Sequence, residues 1–473
     1  MQKIQIRGIL LAAALAGAAC PSPPPPASRP APSPAAPPPD EVRHVVLISI
    51  DGLRADTLED PLAPIPTIRR LAREGAAAAG LKVSFPSVTW TCHTTLVTGV
   101  HPARHGVLGN NYFDRATGKV VDLIPDPHFD KDEIVKVPTL YDLAHGAGLK
   151  TAAIIWPASR NARTLHWTVP DVKTKELFLR YGTPEWLEEL RREGIPVDMQ
   201  EIWCGRTGGG VPRDWMYARM AVQLIRNHRP NLLLLHLVEV DHVQHASGPR
   251  SPDAYWAASY ADDRVRDVVE AVEAGGLRDR TAILVLSDHG FAGYTRTIHP
   301  NVHLRKTGLL RMETDKPTSR QAFALPQGGA CFVYVLDHDR RAAILSNLKA
   351  WFRSQEGIQA VFEERDFPGL GLATPNQDPR MPDLILAARE GYTFSDATTG
   401  DDLITSSPAL KGSHGHLPGD PALHGILVAW GAGIRTGARL PVVEAVDVAP
   451  TAARLLGLRM QNVDGRVLEE ILR

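Results

Sequence analysis

Val45-Val-Leu-Ile-Ser-Ile-Asp-Gly52 is a run of β-branched and long aliphatic residues that ends on an acid and a glycine. It shows no alternation of apolar and polar positions, the pattern of a strand buried on both faces, as in a parallel sheet. Runs of the same kind predict strands at Thr151–Ile155, Leu232–Val238, Ala282–Leu286, Cys331–Leu336, Leu384–Ala387 and Ile426–Trp430. Helical periodicity separates them at Ile68–Gly75, Thr139–Ala147, Trp215–Asn227, Ala254–Ala274 and Ala449–Leu456. Strands alternating with helices predict an α/β fold, with a central, mostly parallel sheet and helices on both faces. The rhythm weakens near 159–213 and 292–410, which are expected as cap insertions, where substrate choice commonly resides.

Lys and Arg total 52 against 53 Asp and Glu, so no bulk field exists to hold nucleic acid as a primary partner. At 44% hydrophobic residues the chain has material for a sizeable core, and 473 residues fit one large domain with insertions. The N-terminus carries basic Lys3 and Arg7, an apolar run from Gly8 to Ala19, then Cys20. That is an export signal over residues 1–19, too short to span a bilayer as a mature helix. It resembles a bacterial lipoprotein signal, which implies lipidation of Cys20 and an exported, periplasmic or envelope location. The resemblance departs at Gly17, where that signal usually has Leu; cleavage near Ala18 or Ala19 is the alternative. Residues 20–40 are mostly Pro, Ala and Ser, an extended linker, and the catalytic domain is expected over 41–473. Cys92, Cys204 and Cys331 are odd in number and lack CxxC spacing, so neither a disulfide framework nor a thiolate metal site is indicated, although one pair could bridge.

The chemistry lies where the predicted strands end. Ile50 runs into Asp51, Val240 into Asp241, Ser287 into Asp288 and His289, and the Gly412–Gly415 loop presents His414. In an open α/β sheet the strand C-termini share one edge, so these distant residues converge there. Carboxylates and imidazoles at one edge suit zinc or manganese. Asp241 and His245 stand four residues apart, on one face of a helical turn.

Ile48-Ser-Ile-Asp-Gly-Leu-Arg-Ala-Asp56, the stretch from Phe85-Pro-Ser-Val-Thr-Trp90 to Gly106, Asp241 with His245, Ser287-Asp-His-Gly290 and Gly412-Ser-His-Gly415 resemble the type I phosphodiesterase/nucleotide pyrophosphatase branch of the alkaline phosphatase superfamily. The tail Val446–Gly457 is similar to that superfamily's closing helix. The resemblance implies two divalent ions, zinc, with Asp241, His245 and His414 around one. It implies Asp51, Asp288, His289 and the Thr89 oxygen around the other. Two such ions about 4 Å apart clamp the attacking and leaving oxygens of an in-line displacement. Thr89 is then the nucleophile, forming a phosphothreonine, at the entry to a helix expected over Thr94–Val97. Asn110 matches an amide donor to a non-bridging phosphate oxygen, with Asn111 as the near alternative. Trp90 matches an aromatic that stacks a base in nucleotide-cleaving relatives, its alternative being a packed core ring.

The expected substrate is a small phosphodiester or nucleotide pyrophosphate. A phosphomonoesterase would need a further cation, for which Arg160 and Lys411 are candidates. A sulfatase is disfavoured, because that branch uses Cys or Ser before x-Pro-x-Arg and Thr89-Trp-Thr-Cys-His93 does not supply it. From another class, the Cys20 signal and proline stretch would also suit an envelope-anchored binding lipoprotein.

Overall fold

The structure, a computed structural model, describes residues 42–124, 128–205, 208–313 and 316–473, the side chains of 316 and 317 excepted. The export signal, Cys20 and the 20–40 linker lie outside the described residues.

The chain builds an eight-stranded sheet in the order Ala438–Glu444, Ala76–Lys82, Leu427–Gly431, Thr281–Leu286, His44–Ile50, Leu232–Leu237, Thr151–Trp156, Trp167–Pro170. His44–Ile50 pairs in parallel with both Leu232–Leu237 and Thr281–Leu286, while Leu427–Gly431 alone runs antiparallel to its neighbours. The sheet is therefore mostly parallel, and its central strands are buried throughout.

Period-two alternation sorts the central strand between two cores. Val46, Ile48 and Ile50 face Met216, Met220 and Leu224 of helix Gly210–Asn227 and Val265 and Val268 of helix Pro252–Ala274. Val45 and Leu47 face Leu96, Leu140, Tyr141 and Ala452 on the opposite side. Buried carboxylates fix helix starts against this frame. Asp262 accepts from the Thr67 and Ile68 amides at the head of helix Pro66–Glu74, satisfying donors that a helix start leaves open.

The 159–213 stretch contributes to the main sheet as well as to helices outside it. Trp167–Pro170 closes the sheet as its edge strand, followed by helices Lys175–Tyr181, Pro184–Arg192 and Gln200–Cys204. Within 292–410 the chain forms an antiparallel four-stranded sheet, Ala322–Gln327, Ala330–Val335, Leu384–Ala388 and Ile358–Glu363, covered by helix Arg341–Arg353. A three-stranded sheet of Gly391–Phe394, Ala292–Ile298 and Ile404–Ser413 leads on to His414. Among the described residues no helix is long and apolar enough to cross a membrane.

Candidate metal centre

Three adjacent parallel strands deliver three acids to one edge. Asp51 follows His44–Ile50 directly, and its amide donates to Leu237 O at 2.9 Å, which sets it beside the end of Leu232–Leu237. Asp288 lies two residues beyond Thr281–Leu286, and Asp241 lies in the first turn of helix Glu239–Ser247. Asp214 holds that helix start, accepting from Val238 N at 2.8 Å and Glu239 N at 3.0 Å. The Gln244 amide donates to Gly52 O at 2.8 Å and ties the helix to the Asp51 turn.

The six residues fall into two groups of three: Asp241, His245, His414, and Asp51, Asp288, His289, the atoms in each within 4.8 Å of one another. His245 Nε2 and His414 Nε2 stand 3.3 and 3.5 Å from Asp241 Oδ1. His289 Nε2 stands 3.3 Å from both Asp51 Oδ1 and Asp288 Oδ2. The His289 and His414 rings stack at 3.9 Å between centroids, so the groups are contiguous.

The second nitrogen of each imidazole decides how the first is used. Nδ1 of His245, His289 and His414 lies at 3.2, 3.0 and 2.9 Å from the carbonyls of Gly412, Gly290 and Ser87. A carbonyl only accepts, so each Nδ1 carries the proton and each Nε2 lone pair is directed to the centre. Asp51 Oδ1, Asp241 Oδ1, Asp288 Oδ2 and His289 Nε2 are buried without a hydrogen-bond partner among the described residues. Buried acceptors converging without donors are costly unless a cation meets them. The donor set of carboxylate oxygens and neutral imidazoles fits divalent metal ions.

Electrostatics agree with this fit. Burial, with the Asp288 and Asp241 charges, raises the Asp51 carboxyl well above its ordinary range. Against the upward push of burial, the neighbouring imidazoles hold Asp241 and Asp288 below theirs when they carry a proton, a positive charge that a bound cation would replace. Burial beside His289 lowers His414 to about 3.

Thr89 opens helix Thr89–Thr98, which starts five residues earlier than expected. This segment lacks an amphipathic pattern because every residue in it is buried. Thr94, Thr95 and Thr98 satisfy their hydroxyls on the carbonyls four residues back, so a threonine-rich helix tolerates burial. The Thr89 segment touches both groups through its backbone: Ser87 O receives His414 Nδ1, and Thr89 O lies 2.9 Å from His93 Nδ1, itself 3.4 Å from Asp288 Oδ2. Asn110 Oδ1 accepts from Trp90 N at 3.0 Å.

Other candidates lie differently. Trp90 is 1% exposed, packed with Val107, Tyr112, Leu123, Ile134, Val135 and Ala158, so its ring presents no open face to a base. Arg160 pairs with Asp130 at 3.0 Å and lies over the Tyr181 ring, while Lys411 is exposed on strand Ile404–Ser413. Cys92 is buried and free, its thiol raised by burial, and Cys204 and Cys331 are free as well, so no bridge forms among the described cysteines.

Two histidines of the site went unassigned from sequence. His236 Nε2 lies 3.1 Å from Asp51 Oδ2 and its Nδ1 3.0 Å from Ile155 O, with burial beside His93 lowering it to about 3. His93 contacts Asp288 and lies 4.3 Å from the His236 ring. The lone imidazole in Leu232-Leu-Leu-Leu-His-Leu237 was the available signal, since a buried polar group in an apolar strand requires a partner.

Residues 45–417 match the type I phosphodiesterase/nucleotide pyrophosphatase family. Over 429 residues the chain is 29% identical to a Schizosaccharomyces pombe protein described as an uncharacterized pyrophosphatase/phosphodiesterase, covering 89% of this chain and 78% of that one. It is 23% identical over 437 residues to the bis(5'-adenosyl)-triphosphatase of Mus musculus, covering 89% and 79%. Murine ectonucleotide pyrophosphatase/phosphodiesterase 5 shares the fold, with a TM-score of 0.67 at 18% identity over 91% of this chain and 100% of that one.

Proposed function

We propose, from the premise that this chain belongs to the type I phosphodiesterase/nucleotide pyrophosphatase family, that it hydrolyses small phosphodiesters or nucleotide pyrophosphates through a phosphothreonine at Thr89. The observation that carries this is the pair of three-residue groups, with every histidine Nδ1 on a carbonyl and every Nε2 turned inward beside unpartnered carboxylate oxygens. Asp241, His245 and His414 would hold one zinc ion, and Asp51, Asp288, His289 and the Thr89 oxygen the other. Bound there, the ions supply positive charge that acidifies a hydroxyl and stabilises a leaving oxygen.

The chain's own residues position the substrate. Thr89 Oγ1 attacks phosphorus, the bond to the leaving oxygen breaks, and water then attacks phosphorus and releases the threonine. Asn110 gives its oxygen to Trp90 N–H, which leaves its Nδ2 hydrogens for a non-bridging phosphate oxygen. The head of helix Thr89–Thr98 adds backbone N–H groups beside the same oxygen. A diester or pyrophosphate is favoured over a monoester because Arg160 is engaged with Asp130.

We read residues 1–19 as an export signal, Cys20 as a lipid attachment point, 20–40 as a linker and 41–473 as the catalytic domain, with the four-stranded sheet as part of its cap. The mouse triphosphatase's name supports a dinucleoside polyphosphate as one candidate substrate. The test compares bis-p-nitrophenyl phosphate with p-nitrophenyl phosphate, using the zinc-loaded full chain and its Thr89→Ala variant. The diester should be cleaved faster, and Thr89→Ala should lose at least about a thousandfold in kcat while keeping both ions. Faster monoester cleavage, or an active Thr89→Ala, would remove the proposal.

A further inference from the structure

Asn110 is held from a part of the chain more than two hundred residues away. Gln327, the last residue of strand Ala322–Gln327 in the four-stranded sheet, reaches across to the Gly109-Asn-Asn111 turn. Its Oε1 accepts from Asn110 N at 3.2 Å, and its Nε2 donates to Asn111 O at 3.1 Å and to Asn111 Oδ1. Leu123 N donates to Asn110 O at 2.9 Å, so both backbone groups of Asn110 are engaged. With Asn110 Oδ1 committed to Trp90 N, rotation of the amide is fixed from both ends.

The Gln327–Gly329 turn also braces the metal centre. Gly329 N donates to His414 O at 2.7 Å, and Gly415 N donates to Ser87 O at 2.9 Å, two residues before the nucleophile. The packing requires glycine at two of these positions. Gly328 has φ +68°, and a Cβ there would lie 2.1 Å from His414 O; Gly415 has φ +89°, and a Cβ would lie 1.8 Å from Gln327 O. Gln327 is 4% exposed, so its amide dipoles face the Gly109–Asn111 turn rather than solvent.

We propose that Gln327 is a positioning residue for the reaction: it sets the Asn110 amide at the phosphate, linking the four-stranded sheet to the catalytic edge. This rests on the reading of Asn110 as the phosphate donor. A displacement of about 1 Å in a group that stabilises the transition state lowers the rate by up to about a hundredfold, without needing to weaken ground-state binding. Gln327→Ala removes both contacts. Gln327→Glu keeps the shape and the acceptor for Asn110 N, loses the donor, and sets a carboxylate against Asn111 Oδ1.

The experiment measures kcat and KM on bis-p-nitrophenyl phosphate, with metal content and Tm, for the full chain and for Gln327→Ala, Gln327→Glu, Asn110→Ala and the Asn110→Ala/Gln327→Ala double variant. Either Gln327 variant should lower kcat by about 10- to 100-fold, with KM within about twofold and metal content unchanged. On the Asn110→Ala background the further loss should shrink to less than about twofold, since there is no longer an amide to position. An unchanged kcat in Gln327→Glu overturns the proposal, as does the full loss recurring on the Asn110→Ala background, or a loss that tracks missing metal. Full activity in Asn110→Ala would instead remove the underlying reading of Asn110.

Discussion

The two halves of the metal centre carry similar ligands in different surroundings. Asp51, Asp288 and His289 are all buried, and behind them His236 and His93 contact the carboxylates. In the other half the His245 side chain is 44% exposed and that of Asp241 17%. The closed half grows out of the sheet, at the ends of two adjacent strands, whereas the open half sits on the short helix Glu239–Ser247 and the Gly412–Gly415 loop. Position in the fold thus sets solvent access. One half is closed to solvent and the other is partly open to it.

The largest effects should come from neutralising one acid in each half. Asp51 carries a charge that burial and two other acids oppose, so without metal its ionised form is a burden on the fold. Asp241 has His245 beside its oxygen, an imidazole that this carboxylate raises against the downward push of burial, so in metal-free protein the pair keeps Asp241 ionised. Each of Asp51→Asn and Asp241→Asn should lose an ion and about a thousandfold in activity, the several kcal/mol that a bound ion contributes. Their stabilities should diverge. In metal-loaded protein both variants should be less stable, by about 3 kcal/mol where metal stands at a hundred times its dissociation constant. After chelation Asp51→Asn should melt at or above the parent and Asp241→Asn below it. Equal losses in chelated protein would show that the two carboxylates do not differ as their surroundings indicate.

A smaller separation should appear in metal release. With excess chelator the open half should empty first, and activity should fall before the second ion leaves. Supporting contacts of the kind His236 and His93 provide are worth about 10- to 100-fold in metal affinity, so the two phases should differ by at least about tenfold in rate. The measurement is metal released against time, with activity assayed in parallel. A single phase carrying both ions would mean that burial does not set retention here.

Much of this arrangement was legible in the sequence because buried parallel strands are written as uninterrupted apolar runs, and Asp51, Asp241, Asp288 and His289 follow three of them closely. Strand Ala76–Lys82 was not legible: its Ala-Ala-Ala-Ala-Gly core has little intrinsic strand preference, and pairing with Leu427–Gly431 and Ala438–Glu444 makes it a strand. The early start of helix Thr89–Thr98 was hidden for a related reason, since a helix buried on every side has no apolar stripe to reveal its period. Gln327 belongs to the site only through a contact across 217 residues of chain, which no local pattern encodes, and the apolar strand around His236 signals that a partner is needed without telling that it is Asp51, 185 residues away.

The smallest expected effect concerns the residue beside the nucleophile. Trp90 contributes its backbone N–H to Asn110 and packs its ring into an apolar cluster, and a base could stack on that ring only if it left the cluster. Trp90→Phe keeps a smaller aromatic ring and removes an indole Nε1 that is buried without a partner, so the substitution relieves one cost while opening a cavity. Stability should change by about 1 kcal/mol or less, and kcat and KM for a nucleotide diester should each stay within about twofold. Comparing a nucleotide substrate with bis-p-nitrophenyl phosphate separates packing from base recognition. A rise in KM for the nucleotide alone would mean that the ring leaves its cluster to meet the base; equal small changes for both would mean that the base is recognised elsewhere.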